Sequence, residues 1–293
     1  MPFFSIIIPS YNRTHVIKRV IDSVLNQYFE DFEIIVVDDG STDDTKKNVL
    51  SIDDKRIIYK YQENKGVCSA RNYGAKIALG DYLIFLDSDD FVEKNWLEDF
   101  HNEFVSSSCD IVYCNVKMIL PNGSIKLIEA TNPYGIVKEN SVKGTDLTGS
   151  WVVKKEAFSL VGMYDENIKF GENNELRLRF KDKKLQIGIV DKYNFIYNAS
   201  EAGGGKNYHN KLNSILYILD KHKEYYNQNT NSKKRFLQSA AVSAARLGQT
   251  KKAHQLFGIA LSENKKEIKL WFQWLITYSA FFSNLKWSKN NSN

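Results

Sequence analysis

Asp87-Ser88-Asp89-Asp90 follows directly on the apolar run Tyr82-Leu83-Ile84-Phe85-Leu86. Two carboxylates two residues apart, at the end of a buried strand, offer oxygen ligands to a hard divalent cation. The carboxyl ends of parallel strands are also where open α/β sheets bind their ligands. Asp-rich strand ends serve equally well as turns or helix caps, and Asp90 is read as the cap of the helix that follows. A second acidic strand end is Asp38-Asp39-Gly40, after the run Phe32–Val37. A third acidic group is Glu172 and Glu175, in Phe170-Gly171-Glu172-Asn173-Asn174-Glu175-Leu176. Both fall in the first turn of a predicted helix, where the macrodipole favours a carboxylate.

The elements that must position these groups alternate. Phe3–Ile8 reads as a buried strand stopped at Pro9-Ser10-Tyr11-Asn12. Val16, Ile17, Val20, Ile21, Val24 and Leu25 then recur at helical spacing. Ser41-Thr42-Asp43-Asp44 resembles a capping box that opens a short helix. Ile57–Tyr61 is a weaker strand, Asn64-Lys65-Gly66 turns into a helix with Ala70, Ile77 and Ala78, and Gly80 ends it before Tyr82. Strand, helix, strand, helix with buried strands predicts a parallel α/β sheet with right-handed crossovers. Trp96, Leu97, Phe100 and Phe104 mark another helix. Asp110–Leu120 and Ile125–Ala130 flank Pro121-Asn122-Gly123-Ser124, a hairpin signal that makes the second half of the sheet mixed. From about residue 211 the pattern is helical. Ala240, Ala241, Ala244 and Ala245, then Ala253, Leu256, Phe257 and Ala260, suggest two helices paired as in one tetratricopeptide-type unit.

Length and composition fit one large domain and an appendage, with 43% hydrophobic and 26% charged residues in 293. A formal net charge of +5 without a long basic tract does not point to nucleic acid. Cys68, Cys109 and Cys114 have no metal-type spacing and suit a reducing compartment. No basic and apolar leader opens the chain and no apolar run reaches spanning length. A cytoplasmic protein is expected.

Four motifs stand in order: Ile7-Ile8-Pro9-Ser10-Tyr11-Asn12, Val36-Val37-Asp38-Asp39-Gly40-Ser41-Thr42-Asp43, Asn64-Lys65-Gly66 leading to Ala70-Arg71-Asn72, and Asp87-Ser88-Asp89-Asp90. Together they resemble glycosyltransferase family 2, inverting enzymes of GT-A fold, strongly over residues 3–100 and weakly over 145–200. The resemblance implies a mixed, mostly parallel sheet flanked by helices, with residues 1–210 catalytic (1–100 for the nucleotide, 101–210 for the acceptor) and 211–293 a helical region. It implies a nucleotide-sugar site of Pro9, Tyr11, Asp39, Arg71, Asp87 and Ser88. Tyr11 would stack near the base, Asp39 would accept the uracil N3 proton, and Arg71 would line the base pocket. Asp89 would ligate Mn²⁺ or Mg²⁺ at the diphosphate, and Asp87 would contact the ribose or reach the metal through water.

The family's catalytic base is commonly the Asp of a Glu-Asp pair opening a helix. Here that position is Asn173, and an amide is no general base, so the role falls to Glu172 or Glu175. Gly171 beside Glu172 favours the former. Thr148-Gly149-Ser150-Trp151 resembles the small-residue loop beneath the acceptor, with Trp151 stacking on a sugar or buried in the core. In the Gly-rich stretch from Ala202 to His209, Lys206 is a candidate for the diphosphate and His209 for the diphosphate or the metal.

The resemblance implies single-sugar transfer from a nucleotide-diphospho-sugar, UDP-sugars being favoured, to a saccharide or lipid-linked saccharide in surface polysaccharide synthesis. The alternative is a catalytically silent nucleotide-binding or scaffold protein. The Gln-x-x-Arg-Trp motif of processive synthases is missing. So are the G-x-G-x-x-G turn of NAD enzymes and the Gly-rich N-terminal loop of nucleotidyltransferases. The aromatic stretch Leu270–Phe282, set between lysines in 266–289, suits an interfacial helix at the inner face of the cell membrane, a cover over the catalytic domain, or a homodimer seam.

Overall fold

The computed structural model describes residues 1–130, 147–199 and 207–263, with 271 and 274–277. Four parallel strands form the first half of the sheet: β1 (Phe4–Ser10), β2 (Phe32–Asp39), β3 (Ile57–Gln62) and β4 (Tyr82–Phe85). Helices α1 (Ile17–Leu25), α2 (Thr45–Leu50) and α3 (Val67–Ile77) connect them. The second half holds β5 (Phe91–Val92), α4 (Trp96–Ser106), β6 (Ile111–Ile119), β7 (Ile125–Ile128), β8 (Trp151–Lys154), α5 (Lys155–Leu160), α6 (Glu172–Asp182) and β9 (Ile187–Asn198). The sheet order is β3-β2-β1-β4-β8-β6-β9-β5, with β7 paired to β6. β4–β8, β6–β8, β5–β9 and β6–β7 are antiparallel and β6–β9 is parallel, so the sheet is mixed, as the Asn-Gly hairpin predicts.

Continuous apolar strands imply a sheet covered on both faces, and alternate residues do pack oppositely. Ile6, Ile8, Ile34 and Val36 face α1 and α4, joining Val20, Trp96 and Phe100. Ile7, Ile35 and Val37 face α3, α5 and α6, joining Ala70, Phe158 and Phe180. Gly74 lets α3 lie close on the sheet, because a Cβ there would sit 2.5 Å from Ile7 Cγ2. The two-residue β5 is absent from the sequence reading, since a pair of residues carries no periodicity.

The strand order puts β1 between β2 and β4. The chain runs outward from β1 to β3 and then returns to β1's other side. That reversal opens a crevice at the strands' carboxyl ends, where Tyr11, Asp39 and Asp87 arrive.

Residues 1–166 and 172–201 form one compact unit, and 167–171 with 202–293 form a second. The division falls earlier than residue 210 and assigns 167–171 to the helical unit. That unit holds α7 (Tyr208–Lys221), α8 (Lys223–Gln228), α9 (Thr230–Arg246) and α10 (Thr250–Glu263). Ala240, Ala241, Ala244 and Ala245 meet Ala253, Phe257 and Ala260, so α9 and α10 pair closely. Gly248, at φ +72°, closes α9: its N–H and that of Gln249 donate to the carbonyls of Ala245 and Ala244. The indole of Trp274 stacks on His254 of α10 at 4.7 Å, while Trp271 and Leu275 are exposed. No helix among the described residues is long and apolar enough to cross a membrane.

Candidate active site

Backbone chemistry shapes the end of β2. The Ser41 N–H donates to Asp38 Oδ1 at 2.8 Å, and the Tyr59 hydroxyl to Asp38 Oδ2 at 2.6 Å. Asp39 accepts from the Lys65 N–H (2.9 Å), the Gly66 N–H (2.8 Å) and Gln62 Nε2 (2.7 Å). It therefore anchors the turn that starts α3. An ionised carboxylate has about four acceptor sites, so one is left for a ligand. Gly40, at φ +85°, has no room for a Cβ, which would fall 2.8 Å from the Asn64 backbone nitrogen.

The β1 end is clamped to this loop. The Asn12 N–H donates to Ser41 Oγ, and the Thr42 N–H to Asn12 Oδ1, both at 2.9 Å. Ser41 is thus a loop tie and not a helix cap. Asp43 instead accepts from the Thr45 N–H at the start of α2, which corrects the capping-box expectation. Tyr11 projects from this clamp 48% exposed, with its ring open for stacking. Pro9 lies buried inside β1, opposite Val37.

At the end of β4, Asp87 Oδ1 accepts from Arg71 Nη2 at 2.7 Å, and Asp87 Oδ2 from the Thr148 hydroxyl at 2.6 Å. The other arm of Arg71, Nη1, donates to Glu172 Oε1 at 3.0 Å. Ser88 is buried and accepts from Arg13 Nε at 3.3 Å, and Arg19 Nη2 donates to the Asp89 carbonyl at 2.7 Å. Among the described residues no side chain hydrogen-bonds or ion-pairs with the Asp89 carboxylate. Burial and then the neighbouring charge of Asp87 push its carboxyl above the ordinary aspartate range. A bound cation relieves both causes, so Asp87 and Asp89 fit a hard divalent ion. No group of three or more His, Cys, Asp or Glu forms a closed metal cage among the described residues. Two carboxylates with the other positions left to phosphate oxygens and water are the usual manner of holding Mg²⁺. His209 lies exposed in the first turn of α7, in the helical unit. Lys206 lies outside the described residues.

Residues 5–150 match the family model for glycosyl transferase family 2. The chain belongs to glycosyltransferase family 2. An uncharacterized glycosyltransferase of Rickettsia typhi is 34% identical over 193 residues, which cover 61% of this chain and 58% of that protein. The minor teichoic acid biosynthesis protein GgaB of Bacillus subtilis is 31% identical over 210 residues, 68% of this chain and 23% of GgaB. The chain thus spans less than two thirds of either relative. The S. aureus TarS 1–349 structure in complex with UDP-GlcNAc superposes with a TM-score of 0.62 at 20% identity, over 96% of this chain and 91% of that one. That likeness fixes the fold as the one seen in TarS.

Several family-based expectations shift in the structure. Arg71, expected in the base pocket and paired in function with Asp39, is only 2% exposed and turned to Asp87 and Glu172. Trp151, expected at an acceptor, is 3% exposed and packs against Phe85 and Phe180, so its faces are covered by protein. Glu175 is 0% exposed and paired to Arg179 at 2.7 Å. Arg179 also donates to the carbonyls of Val161 and Met163, which makes Glu175 the anchor of a structural arginine. Glu175→Gln should lower stability by up to about 3–5 kcal/mol by leaving a buried charge uncompensated. Turnover per folded molecule should persist. Thermal melts and kinetics on the same preparation check both.

Asn173, at the family's usual base position, accepts from the Tyr164 hydroxyl at 2.9 Å. Thr148, expected in the loop beneath the acceptor, reaches Asp87 instead, and Tyr164 is a site neighbour that the sequence reading does not name. The Gly after Thr148 was a hint, and no signal in the sequence marks Tyr164.

Asp90 is not a helix cap. Its Oδ1 accepts from the Asn198 N–H at 2.9 Å, six residues before α4 begins. Burial, then Asp87, holds its carboxyl well above the usual range. A carboxyl with a raised folded pKa binds its proton more tightly folded than unfolded. Its contribution to stability is present at low pH and is lost as pH rises past the ordinary aspartate value. Asp90→Asn should therefore gain stability over the parent as pH rises above the ordinary aspartate value of about 4, through the window opened by the upward shift. Melts in EDTA across that window check it, and a constant difference would contradict it.

Proposed function

We propose that this chain transfers a single sugar from a nucleotide-diphospho-sugar to a hydroxyl of a saccharide or lipid-linked saccharide, with inversion and with Mn²⁺ or Mg²⁺. The observation that carries the reading is the convergence of Tyr11, Asp39, Asp87 and Asp89 at the carboxyl ends of β1, β2 and β4, with Glu172 brought there through Arg71. Tyr11 stacks on the base and the open acceptor site of Asp39 takes the uracil N3–H. TarS was solved with UDP-GlcNAc and with UDP, and GgaB is named for teichoic acid biosynthesis, which supports a UDP-sugar and a surface-polymer acceptor.

Asp87 and Asp89 would hold the cation. It would take up charge on the diphosphate as the sugar leaves. Glu172 accepts the proton of the acceptor hydroxyl. That oxygen forms its bond to the anomeric carbon from the face opposite the leaving group. The bond from that carbon to the β-phosphate oxygen breaks, and its electron pair departs with the nucleoside diphosphate. One displacement turns an α-linked donor into a β-linkage. Exposed Trp271 and Leu275 support the further reading that this stretch rests on an anionic lipid surface where a lipid-linked acceptor is presented.

Calorimetric titration with UDP, with and without Mn²⁺, followed by turnover of sugar nucleotides, tests the proposal. Metal-dependent binding with a β-linked product from an α-donor is expected. An α-linked product would exclude direct displacement. Asn173 favours one other reading, a nucleotide-binding protein without turnover, which UDP binding with no transfer or hydrolysis would select.

A further inference from the structure

The donor-side carboxylate and the proton acceptor share one cation. Arg71 stands in the second turn of α3, shut away from solvent, with one arm on Asp87 and the other on Glu172. Its Cζ lies 5.2 Å from the centroid of the Tyr164 ring, and its Nε is buried with no hydrogen-bond partner among the described residues. Tyr164 is itself fixed by the next residue of the helix. Its N–H donates to Asn72 Oδ1 and its carbonyl accepts from Asn72 Nδ2, each at 2.9 Å. The Tyr164 hydroxyl donates to Asn173 beside Glu172, and Thr148 holds the second oxygen of Asp87. A guanidinium is a planar, rigid fork, and this one is almost wholly buried. Its two arms therefore set the spacing of the two carboxylates. One positive charge divided between two anions also makes each bond depend on the other.

We propose that Arg71 is a positioning residue that couples the donor-binding carboxylate Asp87 to the proton-accepting carboxylate Glu172, so that a change at either is felt at the other. The proposal rests on the glycosyltransferase reading of this site. When Asp87 is drawn to the nucleotide, the guanidinium settles on Glu172 and holds it in one orientation for the acceptor. When Glu172 loses its charge, the guanidinium closes on Asp87 and makes that carboxylate less available.

The test is UDP affinity in the presence of Mn²⁺ for the parent, Glu172→Gln, Arg71→Met and the double variant. Glu172 does not touch the nucleotide in this scheme, yet Glu172→Gln should weaken UDP binding about three- to tenfold. In the Arg71→Met background the same change should alter affinity by less than about twofold. An unchanged affinity in Glu172→Gln, or an equal loss in both backgrounds, would overturn the coupling. Arg71→Gln removes both the charge and the fork and serves as the second background if Arg71→Met does not fold. Absence of UDP binding by the parent would count against the donor reading alone. The coupling is then decided by thermal melts: the shifts of Asp87→Asn and Glu172→Gln should be non-additive with Arg71 and additive with Met or Gln. Additivity in every background would overturn it.

Discussion

Glu172→Gln should lower kcat for sugar transfer by about two to four orders of magnitude, the usual worth of a positioned general base. The substitution keeps shape and volume and removes the capacity to take a proton, together with the charge paired to Arg71. Glu172 is the one candidate base whose surroundings suit the task. It ends at the Arg71 fork beside Asp87, whereas Glu175 is sealed against Arg179 and Asn173 carries an amide. The donor KM should move only several-fold, through Arg71, so the loss falls on kcat and on kcat/KM together. Steady-state kinetics at saturating donor measure it. A kcat within about threefold of the parent would place proton acceptance elsewhere.

Asp89→Ala should abolish the metal-dependent part of UDP binding, an expected loss of about a hundredfold or ~2.7 kcal/mol. Its carboxylate is the group at the crevice that no described side chain satisfies, and burial and Asp87 both disfavour its charge. Removing it should raise the melting temperature without metal while weakening the ligand, the exchange expected where a site is held against its own stability. Parallel titrations in Mn²⁺ and in EDTA separate the effects. Equal affinities of parent and variant in Mn²⁺ would remove Asp89 from the metal site.

Much of this was legible in the sequence because strands buried on both faces announce themselves as unbroken apolar runs. Phe3–Ile8, Phe32–Val37 and Tyr82–Leu86 became β1, β2 and β4, and the polar residues at their ends became the crevice. What was hidden depends on distant partners. Asp90 looks like a cap until Asn198 arrives across the sheet, and Glu175 looks like a base until Arg179 closes on it. Trp151 shows the same limit: an aromatic beside a small-residue loop suits a sugar or a core equally, and only Phe85 and Phe180 decide. Arg71 resembled a family base contact because its motif is local, while its two carboxylates are not.

The separation of those partners along the chain carries a consequence for biosynthesis. Arg71 and Glu172 lie 101 residues apart, and Asp87 and Thr148 lie 61 apart. At ribosomal rates of about 5–20 residues per second, Glu172 is made roughly 5–20 s after Arg71. For that interval the nascent chain holds an arginine fated for burial with no second anion. This corner of the crevice therefore closes only after the segment carrying Glu172 emerges, well after the strands that carry Arg71 and Asp87.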